Sequence, residues 1–321
     1  MDRADQGGQI DPQVALALER SRALLPEGLP VHRLTLAEAR RLYAHERRFW
    51  NRDAPVLDAV RDLTIPGPHG DIPLRVFHPT PERPTAAVVY LHGGGWILGG
   101  LDTHDRIMRL LARQSGLAVV GVDYRLAPEF KFPVQHDEAL ATLDYLATAG
   151  ADLGLDPTRL LLAGDSAGAT LALGVCLARK RLLRGAVLVY GGYGLADSPS
   201  RRAFGGNDDG LGRAELDYYR ACLVRGPDDL RDPRLAPLDT DLADLPPIFV
   251  AAAERDPLRD DSLALAKRLA DTGVDHAFRL YPGVPHGFLH LSLMVDRAGQ
   301  AINDAAAWLR AHGDSGGAER G

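Results

Sequence analysis

Four short apolar runs, Ala86–Leu91, Leu117–Val122, Leu160–Ala163 and Ala186–Tyr190, recur through the middle of the chain. Stretches of helical character at His104–Ser115, Val134–Ala149 and Ala167–Arg181 separate them. Runs this short and this uniformly apolar match strands buried on both faces. A repeated strand–helix alternation predicts an α/β fold: a doubly wound, mostly parallel central sheet with helices on both faces. A further strand candidate, Ile72–Phe77, precedes the series. After a break the alternation resumes with Ile248–Ala253, a helix at Asp260–Ala270, His276–Tyr281 and a last helix at Asp296–Ala311.

The break, Gly191–Asp244, is polar and Gly-rich. It carries one helix candidate near Ala214–Leu223 and no buried strand, and reads as an insertion above the sheet. Between Asp11 and Trp50, two helix-like apolar patterns flank the breaker PEGLP. The organisation expected is cap helices over 1–56, an α/β domain over 57–312 with its insertion at about 191–244, and a flexible tail over 313–321.

Composition narrows the function classes. The chain has 321 residues and a formal net charge of −6, so no broad basic surface for nucleic acid is expected. Its two cysteines, Cys176 and Cys222, make no disulfide framework, which fits a reducing compartment. Cys176 sits in the apolar run Leu171–Leu177 and is expected to pack within a helix. The N-terminus lacks the charge and hydropathy pattern of a secretory signal, and no apolar run is long enough to span a membrane. The expectation is a cytoplasmic protein, monomer or homodimer, without a membrane or nucleic-acid partner.

The chemistry is concentrated at Gly164-Asp165-Ser166-Ala167-Gly168, between the strand LLLA and the helix ATLALGVCLARK. A turn this tight leaves no space for side chains at its flanking positions, and glycine fills both. Ser166 is lifted clear of the sheet at the positive end of a helix dipole, the placement of an activated nucleophile. The competing reading is a Gly-rich turn with Ser166 as a helix N-cap.

Upstream, His92-Gly93-Gly94-Gly95-Trp96 follows the strand AAVVYL. Acyl transfer through a tetrahedral oxyanion needs preorganised N–H donors, and consecutive glycines let backbone approach a ligand closely. Gly94 and Gly95, with Ala167 after the nucleophile, are the expected donors; His92 and Gly93 shape the loop. A phosphate loop is the rival, but the G-K-[ST] ending and the G-x-G-x-x-G spacing are missing.

A serine needs a base, and the base an orienting acid, in the chain order Ser, acid, His. Of eleven histidines only His276, His286, His290 and His312 follow a plausible acid. His276 begins a strand and His312 lies near the end of the last helix. His286, in the loop PGVPHGF directly after a strand, is at the sheet's functional edge, and His290 is its weaker neighbour. Asp256, just after the strand Ile248–Ala253, is the expected acid, with Glu254 as runner-up; Asp260 and Asp261 read as helix N-caps. No sequence spacing of His, Cys and carboxylates suits a metal, and neither metal nor organic cofactor is expected. Trp96, Tyr193, Phe204 and Phe288 are candidates either to line an acyl pocket or to pack the cap.

Together HGGGW, DYRLAPE at Asp123–Glu129, GDSAG, DPL and HGF resemble the hormone-sensitive-lipase-like family of α/β-hydrolases, from His92 to the end of the last helix. The resemblance implies the α/β-hydrolase fold and a carboxylesterase for short acyl chains acting on a small-molecule ester. It also implies triad roles for Ser166, Asp256 and His286, oxyanion donors at Gly94, Gly95 and Ala167, and a cap built from the N-terminal helices and Gly191–Asp244. Two alternatives stand beside it: a non-catalytic small-molecule-binding member of the same fold, of which the family has an example that lost the histidine, and a peptidase or amidase using the same three residues.

Overall fold

The computed structural model describes residues 8–25, 30–206 and 211–314. The breaker PEGLP therefore falls mostly outside the described residues, as do most of the expected C-terminal tail and the first seven residues. Two helices open the chain, α1 (Pro12–Leu24) and α2 (Leu36–Trp50). Thr35 starts α2 with a capping box: its hydroxyl accepts from the Glu38 N–H, and the Glu38 carboxylate accepts from the Thr35 N–H.

Eight strands form one sheet: β1 (Ala59–Ile65), β2 (Ile72–His78), β3 (Thr85–Leu91), β4 (Ala118–Val122), β5 (Leu155–Asp165), β6 (Leu183–Val189), β7 (Ile248–Arg255) and β8 (His276–Pro285), in the order β1-β2-β4-β3-β5-β6-β7-β8. β1 pairs antiparallel with β2, and β2 with β4; every other pairing is parallel. The helices α3 (Asp105–Ser115), α4 (Val134–Ala149), α5 (Ala167–Ala178), α8 (Arg259–Asp271) and α9 (Asp296–Asp314) cover the sheet. The short α6 (Pro199–Phe204) and α7 (Arg213–Leu223) lie between β6 and β7, in the 191–244 segment.

Successive residues of the parallel strands face two cores, the period-2 consequence of the pleat, and β3 shows it most plainly. Ala86, Val88 and Tyr90 of β3 join one core with Ile107, Met108 and Leu111 of α3 and Ala298, Ile302 and Leu309 of α9. Their neighbours Ala87, Val89 and Leu91 join the other, with Leu143 of α4, Leu171 and Val175 of α5 and Leu265 of α8. Cys176 is fully buried in α5 within this second core.

Three departures from the sequence expectations have physical causes. The edge strand β1 leaves most of its residues exposed, so it has no apolar run to betray it. β8 continues past Tyr281 to Pro285, which carries the chain straight to His286. The α8 helix is capped at Leu258, not at Asp260 or Asp261. Asp261 is instead buried, accepting the N–H groups of Tyr193 and Leu195 and pairing with Arg201 at 2.8 Å, while Asp260 accepts the N–H of Ser200.

Candidate active site

Ser166 sits at the junction of β5, a central strand, with α5. Its backbone has φ 53° and ψ −122°, a conformation that costs an L-residue energy. The turn is held by its surroundings: the Ser166 N–H donates to the Val189 carbonyl at 2.8 Å. A Cβ on Gly164 would lie 2.4 Å from the Gly168 carbonyl oxygen, and one on Gly168 would lie 1.9 Å from that of Leu91. Backbone occupies the space of a side chain on both sides, which is the physical reason for glycine at these two positions.

His286 directly follows β8 and Asp256 directly follows β7, so adjacent parallel strands deliver both to the same edge. The Ser166 Oγ lies 2.8 Å from His286 Nε2, and His286 Nδ1 lies 2.9 Å from Asp256 Oδ2. Asp256 is completely buried, and its other oxygen accepts the Leu258 N–H at 2.7 Å. The carboxylate is thus fixed and has no water to compete for the imidazole. Glu254 points elsewhere and accepts the Gly283 N–H at 2.7 Å. His276 bonds to the Val274 carbonyl, and His312 stacks on Trp308. Neither reaches the serine.

In the loop after β3, Gly94 and Gly95 have φ of 120° and 62°. A Cβ on Gly94 would lie 2.3 Å from the Leu98 carbonyl oxygen. Among the described residues, the N–H groups of Gly94, Gly95 and Ala167 donate to no protein acceptor, and all three residues line the same cavity as Ser166 and His286. His92 braces the loop. Its Nδ1–H donates to the Gly93 carbonyl, its ring stacks on Tyr124 at 4.3 Å, and burial with the nearby His104 pushes its pKa down to about 3, which keeps it neutral.

Asp165, the second residue of the pentapeptide, has a role that no sequence spacing announces. Its buried carboxylate accepts the Gly93 N–H at 2.9 Å and the Tyr90 hydroxyl at 2.8 Å, with the Tyr190 hydroxyl at 3.3 Å. One side chain therefore ties the glycine loop to the serine turn. Burial favours its neutral form, but His104 above all, then His290 and Tyr90, outweigh this and hold the carboxyl below the usual carboxylate range. His104 Nε2 lies 3.5 Å away, and the His104 and His290 rings meet edge-on at 4.6 Å. Potential ligand atoms of His104, Asp165 and His290 lie within 4.8 Å of one another. Sequence spacing could not show this, because the three come from distant segments. The set does not fit a resident metal, since the Asp165 oxygens already serve three protein donors.

The cavity has a volume of about 580 Å³. Its far wall comes from α1, α2 and the insertion, through residues such as Leu18, Tyr43, Leu216 and Tyr219. Of the four aromatic candidates Trp96 lines it; Tyr193, Phe204 and Phe288 do not. Tyr193 and Phe288 are fully buried, Phe288 against Tyr190 and Tyr281, and Phe204 packs beside the guanidinium groups of Arg255 and Arg259. These rings pack within the framework, where an aromatic side chain buries nearly all of its surface.

A sheet of this order with a strained serine on its central strand, bonded to a histidine and a buried aspartate, defines an α/β-hydrolase. Residues 88–290 match the family model described as alpha/beta hydrolase fold, and the chain belongs to that family. The stretches HDRIMRLLA at His104–Ala112, DSPSRRAFGG at Asp197–Gly206 and PGVPHGFLH at Pro282–His290 resemble bacterial acetyl esterase. Acetyl esterase of Salmonella paratyphi B is 44% identical to this chain over 279 residues, 85% of this chain and 86% of that protein. Among solved structures, a hyperthermophilic esterase from the archaeon Pyrobaculum calidifontis is 31% identical with a TM-score of 0.89, over 95% of this chain and 99% of its own. A thermostable esterase from Pseudomonas putida is 26% identical with a TM-score of 0.89, over 97% and 99%.

Proposed function

We propose that this carboxylic ester hydrolase cleaves short-chain acyl esters, acetyl to butyryl, through an acyl-enzyme formed on Ser166. The single observation that carries the reading is the continuous chain Ser166 Oγ–His286–Asp256, with both bonds under 3 Å, opening on the cavity. In this reading His286 takes the hydroxyl proton as Ser166 attacks the ester carbonyl, and Asp256 stabilises the imidazolium that forms. The N–H groups of Gly94, Gly95 and Ala167 receive the oxyanion; donors of this kind are each worth about 10²–10³ in rate. His286 then protonates the departing alcohol, and water activated by the same imidazole releases the acyl group. Asp165 acts as a positioning residue, holding the glycine loop against the turn. α1, α2 and the 191–244 insertion form the cap, whose side chains set the acyl limit.

The test is a series of p-nitrophenyl esters from acetate to palmitate, run on the wild type and on Ser166→Ala. The expected result is rates that fall beyond butyrate, with wild-type turnover on acetate lost by about 10⁴-fold or more in the variant. Flat rates along the series would refute the short-acyl limit while leaving the triad standing. Undiminished turnover in the variant would remove Ser166 as nucleophile.

A further inference from the structure

Besides the two histidines, six acidic or basic side chains line the cavity among the described residues: Arg22, Glu46, Arg47, Asp165, Glu215 and Arg220. The three carboxylates are satisfied from within the protein. Glu46 accepts from the Ser21 hydroxyl and the Trp50 indole N–H, both at 2.7 Å, and pairs with Arg47 at 2.8 Å. Glu215 caps the insertion helix, accepting the N–H groups of Gly212 and Val31. Asp165 is held by its tyrosines and the Gly93 N–H. Arg47 is neutralised by Glu46, and Arg22 is exposed at the rim.

Arg220 is different. It projects from α7 into the cavity wall, largely withdrawn from water, and no carboxylate lies within ion-pairing distance among the described residues. Its one hydrogen bond is a long one, 3.5 Å, to the Leu195 carbonyl. The buried Asp261, whose charge Arg220 feels, is already taken by Arg201 and by two backbone N–H groups. Burial above all, then the Arg201 charge, press against the charged form of Arg220, and the more distant carboxylates of Asp261 and Asp217 offset this only in part. A desolvated guanidinium keeps its charge and presents several donors in a planar fork, so an anion that reaches it makes a charge-assisted, often bidentate contact. The net charge of −6 offers anions no general attraction, so any selection for them must be local.

We propose that Arg220 is a specificity residue for esters whose non-reacting end bears a carboxylate. This rests on the short-acyl reading above, taken at its acetyl end: an acetyl group has no place for the charge, so it belongs to the alcohol half. The substrate class is the short-chain acyl ester of a hydroxy acid. Water adds across the ester bond, releasing the short carboxylic acid and a hydroxy carboxylate.

Two probes of one shape test it: 4-acetoxybenzoate and its neutral analogue 4-acetoxybenzamide, compared by kcat/KM in the wild type, Arg220→Gln and Arg220→Lys. The wild type is expected to prefer the anionic ester by about tenfold, carried mainly by KM, as befits one charge-assisted contact. Arg220→Gln should bring the ratio of the two esters close to one, whatever happens to the neutral ester's own rate, and Arg220→Lys should retain part of it. In the wild type the preference should shrink as ionic strength approaches about 1 M, where the Debye length is about 3 Å. A wild-type ratio of one or less, or a preference untouched by Arg220→Gln, overturns the proposal. Failure to hydrolyse either acetyl ester would instead overturn the short-acyl reading on which it rests.

Discussion

The two walls of the cavity are built on different principles. On the sheet side, position is enforced by backbone packed against backbone. Gly164, Gly168 and Gly94 each stand where a Cβ would strike a carbonyl oxygen, and Ser166 is strained in place between them. On the side of α1 and α2, the helices are tied by side chains. Arg40 of α2 reaches across to both oxygens of Glu129 and to the carbonyls of Ile97 and Ala127, and Glu46 gathers Ser21, Trp50 and Arg47. A backbone clash admits no compromise, whereas a side-chain tie can be exchanged for another. The difference teaches where the molecule tolerates change: the wall that carries Ser166 and the glycine loop is fixed by backbone, and the wall formed by α1, α2 and the 191–244 segment is held by contacts that can be exchanged.

The sharpest way to break this contrast is Gly168→Ala. The added methyl would meet the Leu91 carbonyl oxygen at 1.9 Å, so either β3 or the start of α5 must move. The expected cost is about 3 kcal/mol or more, together with loss of ester turnover. Wild-type stability in thermal melting would show that the turn is not sterically determined.

An intermediate effect follows from acid. His92, in the glycine loop, and His136, on α4, are buried with pKa values pushed down to about 3, chiefly by burial, and His290 is also pushed well down. Between their unfolded values near 6.5 and those folded values, the unfolded chain binds more protons, so stability falls as pH falls through this window. Melting temperature should drop by several degrees from pH 6.5 to 4, and His136→Gln should reduce that slope. A melting temperature independent of pH over this range would contradict the neutral burial of these rings.

The smallest effect belongs to the cap. Thr35→Ala removes the hydroxyl that caps α2 and should cost about 1 kcal/mol, with turnover of p-nitrophenyl acetate changed far less than in Gly168→Ala. A loss of activity as large as that of the glycine variant would show the two walls to be one mechanical unit.

The same division separates what the amino-acid sequence determines by itself from what it leaves open. The fold class is legible in the apolar runs because a strand buried on both faces must be apolar throughout; β1, an exposed edge strand, has no such requirement and leaves no mark. The serine turn and the glycine loop are legible because steric exclusion acts between residues close in sequence or next to a strand end, and only glycine answers it. His286 can be chosen over His276, His290 and His312 because β8 and its following loop are local features.

What only the tertiary structure decided is the company each side chain keeps. Asp165 occupies a position the motif leaves open, and its service to Gly93, Tyr90 and Tyr190 depends on three segments meeting in the interior. Asp261 has the look of a helix cap in sequence, yet Arg201 and two backbone N–H groups claim it from the insertion. Of four aromatic candidates for the cavity wall, only Trp96 lines it, and Arg220, which no motif marks, lines it too. Backbone constraints are written in consecutive residues. The pairing of buried charges and rings is settled by which segments pack together, and that is a property of the whole fold.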